Sequence, residues 1–215
     1  MGNAYDVVRD FEKAVAAFTG APHAVAVESC SAALFLCCKY VGVDALPEVV
    51  IPKITYPSCP AAVVNAGGRV KFDGMDWQGK GYYRMAPTPI FDSAKRLCRG
   101  MYPKLLEVCK KSKVGDALAC LSFHAKKTIP IGRGGMILTN SKDSAEWFKC
   151  ARFDGRHECA LHEDTLAMAG WNFYMSVEHA ARGLELMQWI KDDNVLPPDP
   201  YQDLSGYDFF IKANR

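Results

Sequence analysis

Short β-branched and aliphatic runs alternate with amphipathic stretches along most of this chain, and that alternation restricts the fold more than any other feature. The runs HAVAVE (23–28), PEVVIPK (47–53), RVKFDG (69–74), TPIFDS (88–93), DALACLSF (116–123) and GGMILTN (134–140) have the length and composition of buried strands. Between them, helices are expected over 5–18, where Val8, Phe11, Val15 and Phe18 share one face, and over 29–42, 56–67, 101–112 and 141–153. A long helix is expected over 175–193, with Val177, Ala180, Leu184, Met187 and Ile190 at spacings of three and four. The polar, aromatic segment 74–88 reads as a loop. Strand–helix alternation argues for an α/β protein of three α/β/α layers with a mostly parallel sheet. Ligands of such sheets bind beyond the carboxyl ends of the strands.

Composition narrows the class. With 49% hydrophobic residues in 215, one sizeable core can form, and a net charge of +2 argues neither for nor against a charged partner. Nine cysteines, an odd number, include Cys37 and Cys38 inside the apolar run AALFLCCKYV. They read as buried thiols rather than a disulfide framework, which implies a reducing, cytoplasmic setting. No apolar run approaches the length of a membrane span, and the first residues do not resemble a secretion signal.

Three segments can carry chemistry. Ser29, Cys30 and Ser31 stand between a strand and a helix, where free amides cradle a phosphate, although serine is also a common helix cap. Asp92 ends an apolar strand; it can hold a ring nitrogen protonated or cap the next segment. In LSFHAKKTIPIGRGGMILTN, Ser122 and His124 follow a strand and lead to Lys126 and Lys127, amines able to bond an aldehyde cofactor or to lie solvated on the surface. Cys150, His157, Cys159 and His162 cluster in sequence, but their spacing matches no standard zinc site, and no metal is expected.

SCSAAL, IPKITYPSCPAAVVNAGG, IFDSA, LSFHAKKTIPIGRGGMILTN and AGWNFYMSVEHAARGLELM together resemble the DegT/DnrJ/EryC1/StrS aminotransferases, in that family's order and over roughly residues 8–190. The resemblance implies a compact version of the large domain of the type I pyridoxal 5'-phosphate (PLP) fold over residues 1–193, with 194–215 as an arm or a remnant of the small domain. It implies PLP as cofactor and amino-group transfer as the activity. Lys127 matches the Schiff-base lysine, Asp92 the partner of the pyridine nitrogen, and Tyr56 the aromatic residue stacked on the ring. Cys30 and Ser31 match the phosphate-binding turn, Ser122 a further phosphate ligand, and Asn172 an asparagine that reaches the neighbouring subunit's phosphate. A homodimer with shared active sites follows.

Departures from the family pattern mark candidate substrate contacts. Lys95 stands where glutamine or histidine is usual, Arg133 where glutamate is usual, and Tyr174 where arginine is usual; His124 lies beside the lysines. The interval from Asp73 to Phe91 is short for the family, and the chain starts near the family's first core helix and stops near the end of its long helix. A non-catalytic scaffold is therefore a further reading. Seven basic residues, Lys95, Arg96, Arg99, Lys104, Lys110, Lys111 and Lys113, lie in one segment with a single acid, Glu107. They suit either a solvated helix face or a polyanion track. Small relatives of this kind also resemble bacteriophage enzymes that hypermodify thymine. That resemblance implies an alternative, PLP-dependent decarboxylation of an amino-acid-modified thymine in DNA.

Overall fold

The computed structural model describes residues 3–211. Its elements, in chain order, are α1 (Asp6–Thr19), β1 (His23–Val27), α2 (Cys30–Val41), β2 (Val49–Pro52), α3 (Ser58–Asn65), β3 (Val70–Asp73), β4 (Tyr83–Arg84), β5 (Ile90–Asp92), α4 (Tyr102–Ser112), β6 (Leu118–Ser122), β7 (Gly135–Thr139), α5 (Lys142–Arg152), α6 (Val177–Met187) and α7 (Asp208–Ile211). The expected strands and the helices up to α5 are present within a few residues of their expected limits. Ser29 caps α2 by accepting the Ala32 N–H at 3.1 Å, and Ser141 caps α5 by accepting that of Ser144 at 3.2 Å. Gly20 and Gly42 end α1 and α2 in the left-handed conformation that glycine adopts at least cost.

A five-stranded sheet has the order β1-β7-β6-β5-β4, and β2 and β3 pair separately. Alternate sheet residues face two cores. Val25, Val27, Ile90, Leu118, Cys120 and Ile137 pack under α2, α3 and α5. Ala24, Ala26, Phe91, Ala119, Leu121, Met136 and Leu138 pack against α1, α4 and α6. The α/β class and its three layers follow from this alternation.

The pairing departs from the expected parallel sheet. Only β5 and β6 pair in parallel within the larger sheet; β1–β7, β6–β7 and β4–β5 are antiparallel. Parallel neighbours need a crossover of a dozen or more residues, usually a helix. Segment 123–134 between β6 and β7 is a hairpin loop, with Phe123 N–H bonded to Gly134 O at 2.9 Å, so β7 returns against β6. β4 likewise returns into β5 through the turn that bonds Met85 N–H to Ile90 O at 2.9 Å. Because both β1 and β6 oppose β7, the strands β1, β5 and β6 still point the same way, and their carboxyl ends share one edge of the sheet.

Two further differences concern the end of the chain. The long helix stops at Met187 rather than 193, because the following residues turn back onto the segment after β5. Asn194 donates its side-chain amide to Leu97 O at 3.0 Å, and Asp192 accepts Arg99 Nε at 2.7 Å. Residues beyond it cross the site edge: Val195 bridges to Arg96, Asp203 to Ile54, and Leu204 is buried. On the opposite side a buried ion pair ties three elements. Arg152 of α5 donates to Glu12 of α1 and to Ala26 O of β1, and Glu12 accepts the Ala26 N–H at 2.8 Å.

Candidate active site

The sheet register assembles the site. Asp92 ends β5 and pairs with Cys120 of β6; two residues on, Ser122 pairs with Gly135 of β7; Gly135 pairs in turn with Val27, the last residue of β1. Val27 leads through Glu28 into Ser29 and Cys30 at the start of α2. Gly135 has no space for a side chain: a Cβ there would lie 2.4 Å from Ser29 C and 2.5 Å from Cys30 N. The base of the lysine hairpin thus abuts the backbone of the helix start. Asp92, the end of β6 at Ser122 with the Lys126–Lys127 turn that follows it, and the α2 N-terminus come from three segments far apart in sequence and meet along one edge.

At that helix start the first N–H groups have no intrahelical acceptor. Ser29 takes those of Ala32 through its side chain and of Ala33 through its carbonyl, at 3.1 and 3.0 Å. The Cys30 and Ser31 amides lie in the turn before these, where helix geometry supplies no carbonyl, as an anion cup requires. Burial pushes the Cys30 thiol well above its ordinary value; Asp92 adds to the rise and Lys127 opposes it, so both charges act at this turn.

Asp92 is buried, and both its oxygens are engaged. Oδ1 accepts the Ala94 N–H at 2.9 Å, and Oδ2 accepts the Cys59 thiol at 2.9 Å. Behind Cys59, the Thr55 hydroxyl reaches Cys59 Sγ at 3.7 Å and shares a hydrogen bond of 3.0 Å with the Tyr83 hydroxyl. Burial, then the Asp92 charge, drive the Cys59 thiol well above its ordinary value, so it is protonated and donates. Tyr83 pairs with Asp92 in the sheet and is raised in the same way, by burial first and then by Cys59 and Asp92.

The other sequence candidates are more open. Lys127 is half-buried in a turn closed by its N–H on His124 O at 2.8 Å; Lys126 and His124 are exposed, and the Lys126 N–H reaches His124 Nδ1 at 3.3 Å. Tyr56 is 58% exposed and, with Ser31, Ser58, Asn65, Phe209 and Phe210, lines a groove of about 640 Å³. Asn172 is exposed and donates to Asp154 Oδ2 at 3.2 Å. Arg133 forms an exposed pair with Glu28 at 2.7 Å. Tyr174 bridges to Val27 and lies edge-on to Tyr5 and Phe153.

Lys95 is not part of a surface track. Its side chain is 1% exposed, and Nζ donates to Asp199 Oδ2 at 2.7 Å. Arg96 lies over the Tyr82 ring, and Arg99 pairs with Asp192 over Phe18. The basic segment therefore keeps four exposed lysines, Lys104, Lys110, Lys111 and Lys113, and not a run of seven cations. Cys37 and Cys38 are buried thiols, as are most of the nine free cysteines. Among the described residues no three His, Cys, Asp or Glu side chains are placed to hold a metal; His157 instead pairs with Asp164 at 2.8 Å. Nor is any helix among them long and apolar enough to cross a membrane.

Sequence reasoning missed Thr55, Cys59, Tyr83, Asp199 and Tyr201. Thr55 precedes α3 (Ser58–Asn65), so its spacing of four from Cys59 is not a helical one and gave no signal. Tyr83 falls in a segment read as loop, and Asp199 and Tyr201 in a tail with no periodicity.

Comparisons with known proteins place the chain in a family. Residues 2–80 and 107–195 match the model of the DegT/DnrJ/EryC1/StrS aminotransferase family. Asp92 and Lys95 lie between the two matched stretches. The spore coat polysaccharide biosynthesis protein SpsC of Bacillus subtilis is 27% identical over 202 residues, covering 79% of this chain and 48% of SpsC. A GDP-perosamine synthase of Caulobacter vibrioides is 26% identical, covering 85% of this chain and 57% of the synthase. The chain spans about half the length of the curated relatives it matches. Among solved structures, Helicobacter pylori PseC, an aminotransferase involved in pseudaminic acid biosynthesis, superposes with a TM-score of 0.65 at 19% identity over 87% of this chain and 63% of PseC. A 3-amino-5-hydroxybenzoic acid synthase superposes with a TM-score of 0.69 at 21% identity over 86% of this chain and 56% of that one. At these identities the two structures establish the fold.

Proposed function

The chain belongs to the DegT/DnrJ/EryC1/StrS aminotransferase family, and from that premise we propose that it is a PLP-dependent enzyme that transfers an amino group to a keto sugar nucleotide. The observation that carries this reading is the convergence of the α2 start, Asp92, Ser122 and the Lys127 turn on one sheet edge. The residues fit the cofactor. A helix start with outward amides suits its phosphate, a buried acid suits its ring nitrogen, and an accessible amine suits its aldehyde. When bound, PLP withdraws electrons from the carbon attached to the substrate nitrogen.

Each residue then has a task. Cys30, Ser31 and Ser122 would hold the phosphate and so orient the ring. Asp92, kept in place by Cys59 and Ala94, would keep the ring nitrogen's proton by charge pairing. Tyr56, exposed beside the groove it shares with Ser31, would cover the ring. Lys127 would hold the aldehyde carbon and, once displaced by the substrate amine, move a proton at the adjacent carbon. Asn172 is exposed, as a side chain serving a neighbouring subunit has to be, and a homodimer with shared sites follows from that assignment. Residues 1–193 would form the cofactor-binding unit, and 194–215 an arm laid across its edge.

The test is chemical. Protein loaded with PLP, reduced with borohydride and digested, is expected to yield one modified peptide, at Lys127. Addition of glutamate is expected to convert the bound cofactor to its amine form. A modified peptide at Lys126 instead, or a cofactor indifferent to glutamate while carbon dioxide is released, would overturn the assignment.

A further inference from the structure

Lys95 poses a problem that amino transfer as outlined does not absorb. Burying an ammonium is costly unless it is paired, and Lys95 is 1% exposed. Its ion pair is Asp199, carried by an irregular segment more than a hundred residues later in the chain. The partner is not buried to match, since the Asp199 side chain is 48% exposed. The dry side of the pair is thus a fixed cation, and its wet side is a carboxylate that side-chain rotation alone can withdraw.

The place occupied by that carboxylate is built. Asp199 Oδ2 receives Lys95 Nζ at 2.7 Å and the Tyr201 hydroxyl at 2.9 Å. The Lys95 ammonium lies 5.5 Å from the Tyr201 ring centroid, and that ring stacks on the buried Trp77 at 6.2 Å, which keeps the hydroxyl in place. Asp199 is lowered from its ordinary value by the Lys95 hydrogen bond first, then by Tyr201, and Lys127 contributes as well. The backbone around it is pinned independently of the carboxylate: Gln78 Nε2 donates to Asp199 O at 3.0 Å, Gln78 Oε1 accepts the Asp199 N–H at 2.6 Å, and the Leu196 N–H bonds Lys95 O at 2.9 Å. The side chain can therefore leave while Tyr201 and the backbone stay.

We propose that Lys95 Nζ and the Tyr201 hydroxyl form a binding site for a substrate carboxylate, and that Asp199 occupies this site in the absence of substrate. The ligand class is an amino-acid carboxylate: Lys95 stands three residues after Asp92, just beyond the carboxyl end of β5, on the sheet edge that also carries the Lys127 turn. The identity of that ligand as the amino donor rests on the amino-transfer reading; the anion site itself does not. Lys95 is then a specificity residue for carboxylate-bearing substrates, and Asp199 an internal competitor that holds the cation neutralised between turnovers.

Glutarate, a dicarboxylate with no amine to react, is the probe, titrated by calorimetry into the full chain at constant ionic strength. Asp199→Asn removes the competing charge but keeps a hydrogen-bond acceptor, and is expected to bind glutarate about tenfold more tightly than the parent, close to 1.4 kcal/mol. Adding Lys95→Met is expected to abolish the gain, and adding Tyr201→Phe to reduce it. Equal affinities, within twofold, in the parent, Asp199→Asn and the double variant would overturn the proposal, provided their melting curves show folded protein. Should Asp199→Asn not fold, Lys95→Met alone decides: it must weaken glutarate binding to the parent about tenfold, and an unchanged affinity counts against the site. A gain for inorganic phosphate or PLP without one for glutarate overturns the carboxylate assignment. The Lys127 adduct is read separately, so loss of the cofactor reading and loss of the anion site are distinguishable.

Discussion

The two halves of the site are built in opposite ways. Around Asp92, the groups Cys59, Thr55 and Tyr83 are each at most 2% exposed and bonded to one another in a chain that ends on the carboxylate. Around Lys127, the neighbouring His124, Lys126 and Arg133 are exposed, and so are Ser31, Tyr56 and Asn172 along the edge. The first half is completed by folding, since its polar atoms find their partners within the chain. The second half presents donors and rings to solvent and is completed by whatever binds there. Substitutions in the dry half should therefore cost stability as well as function, and those in the open half function alone.

Lys127→Ala is expected to have the largest effect on activity, a loss of about 100- to 10,000-fold in amino transfer, the range for removing a positioned acid–base group. Its unfolding free energy should stay within about 0.5 kcal/mol of the parent, as for surface substitutions in general. Steady-state kinetics and denaturant titration of the same preparation check both. A large stability loss would erase the distinction between the halves.

Asp92→Ala should behave differently. It leaves the Cys59 thiol and the Ala94 N–H without their acceptor in a buried place. About 1–3 kcal/mol of stability should be lost, with the cofactor bound more weakly. Cys59→Ser should preserve much of both, because a hydroxyl can still donate to Asp92, whereas Cys59→Ala should not. Denaturant midpoints and PLP titration separate the three.

The open half was the more legible in the sequence. Cys30 and Ser31, between a strand and a helix, and Ser122 and Lys127, just after a strand, stand out from their local setting, while Tyr56 is picked out only by the resemblance to the family. The dry half was not. Asp92 was visible as an acid ending an apolar strand, but its partners come from α3, from β4 inside an apparent loop, and from the turn that follows. Contacts between segments so far apart leave no local periodicity. The direction of β7 was lost for a related reason: GGMILTN has strand composition whichever way it runs, and only the lack of a helix between residues 123 and 134 sets it antiparallel. The fate of Lys95 could not be read from its basic neighbours, because its counter-ion arrives from the tail.

The tail supplies a smaller, pH-dependent test. Asp199 is lowered chiefly by Lys95, and Asp203 is lowered to about 2, chiefly by its hydrogen bond to Lys53 and then by Ser205. A carboxylate lowered in the folded state adds stability above its unfolded value; that contribution fades as the pH falls through the folded value. The segment should therefore loosen between about pH 4 and pH 2. Hydrogen exchange at the Leu196 and Leu204 amides should quicken across that window ahead of the strands β6 and β7. Simultaneous loss would mean that the tail belongs to the dry half.

Arg133→Ala should give the smallest change in function and so makes the finest comparison. Its side chain is 64% exposed and that of its partner Glu28 29% exposed, so the pair is screened and is worth at most about 1 kcal/mol. Arg133 follows Gly132, whose positive φ shapes the hairpin that carries Lys127, yet the loop is held by backbone bonds from Phe123 to Gly134 and from Ala125 to Gly132. Removing the side chain leaves those bonds intact and the lysine in place. Arg133 as a substrate contact then has a specific signature. KM for the phosphate-bearing substrate should rise several-fold at low ionic strength with kcat nearly unchanged, and the difference should shrink as salt is added. A fall in kcat at constant KM would place Arg133 with Lys127 in the chemical step, and would show that the open half acts as one unit rather than as separate contacts.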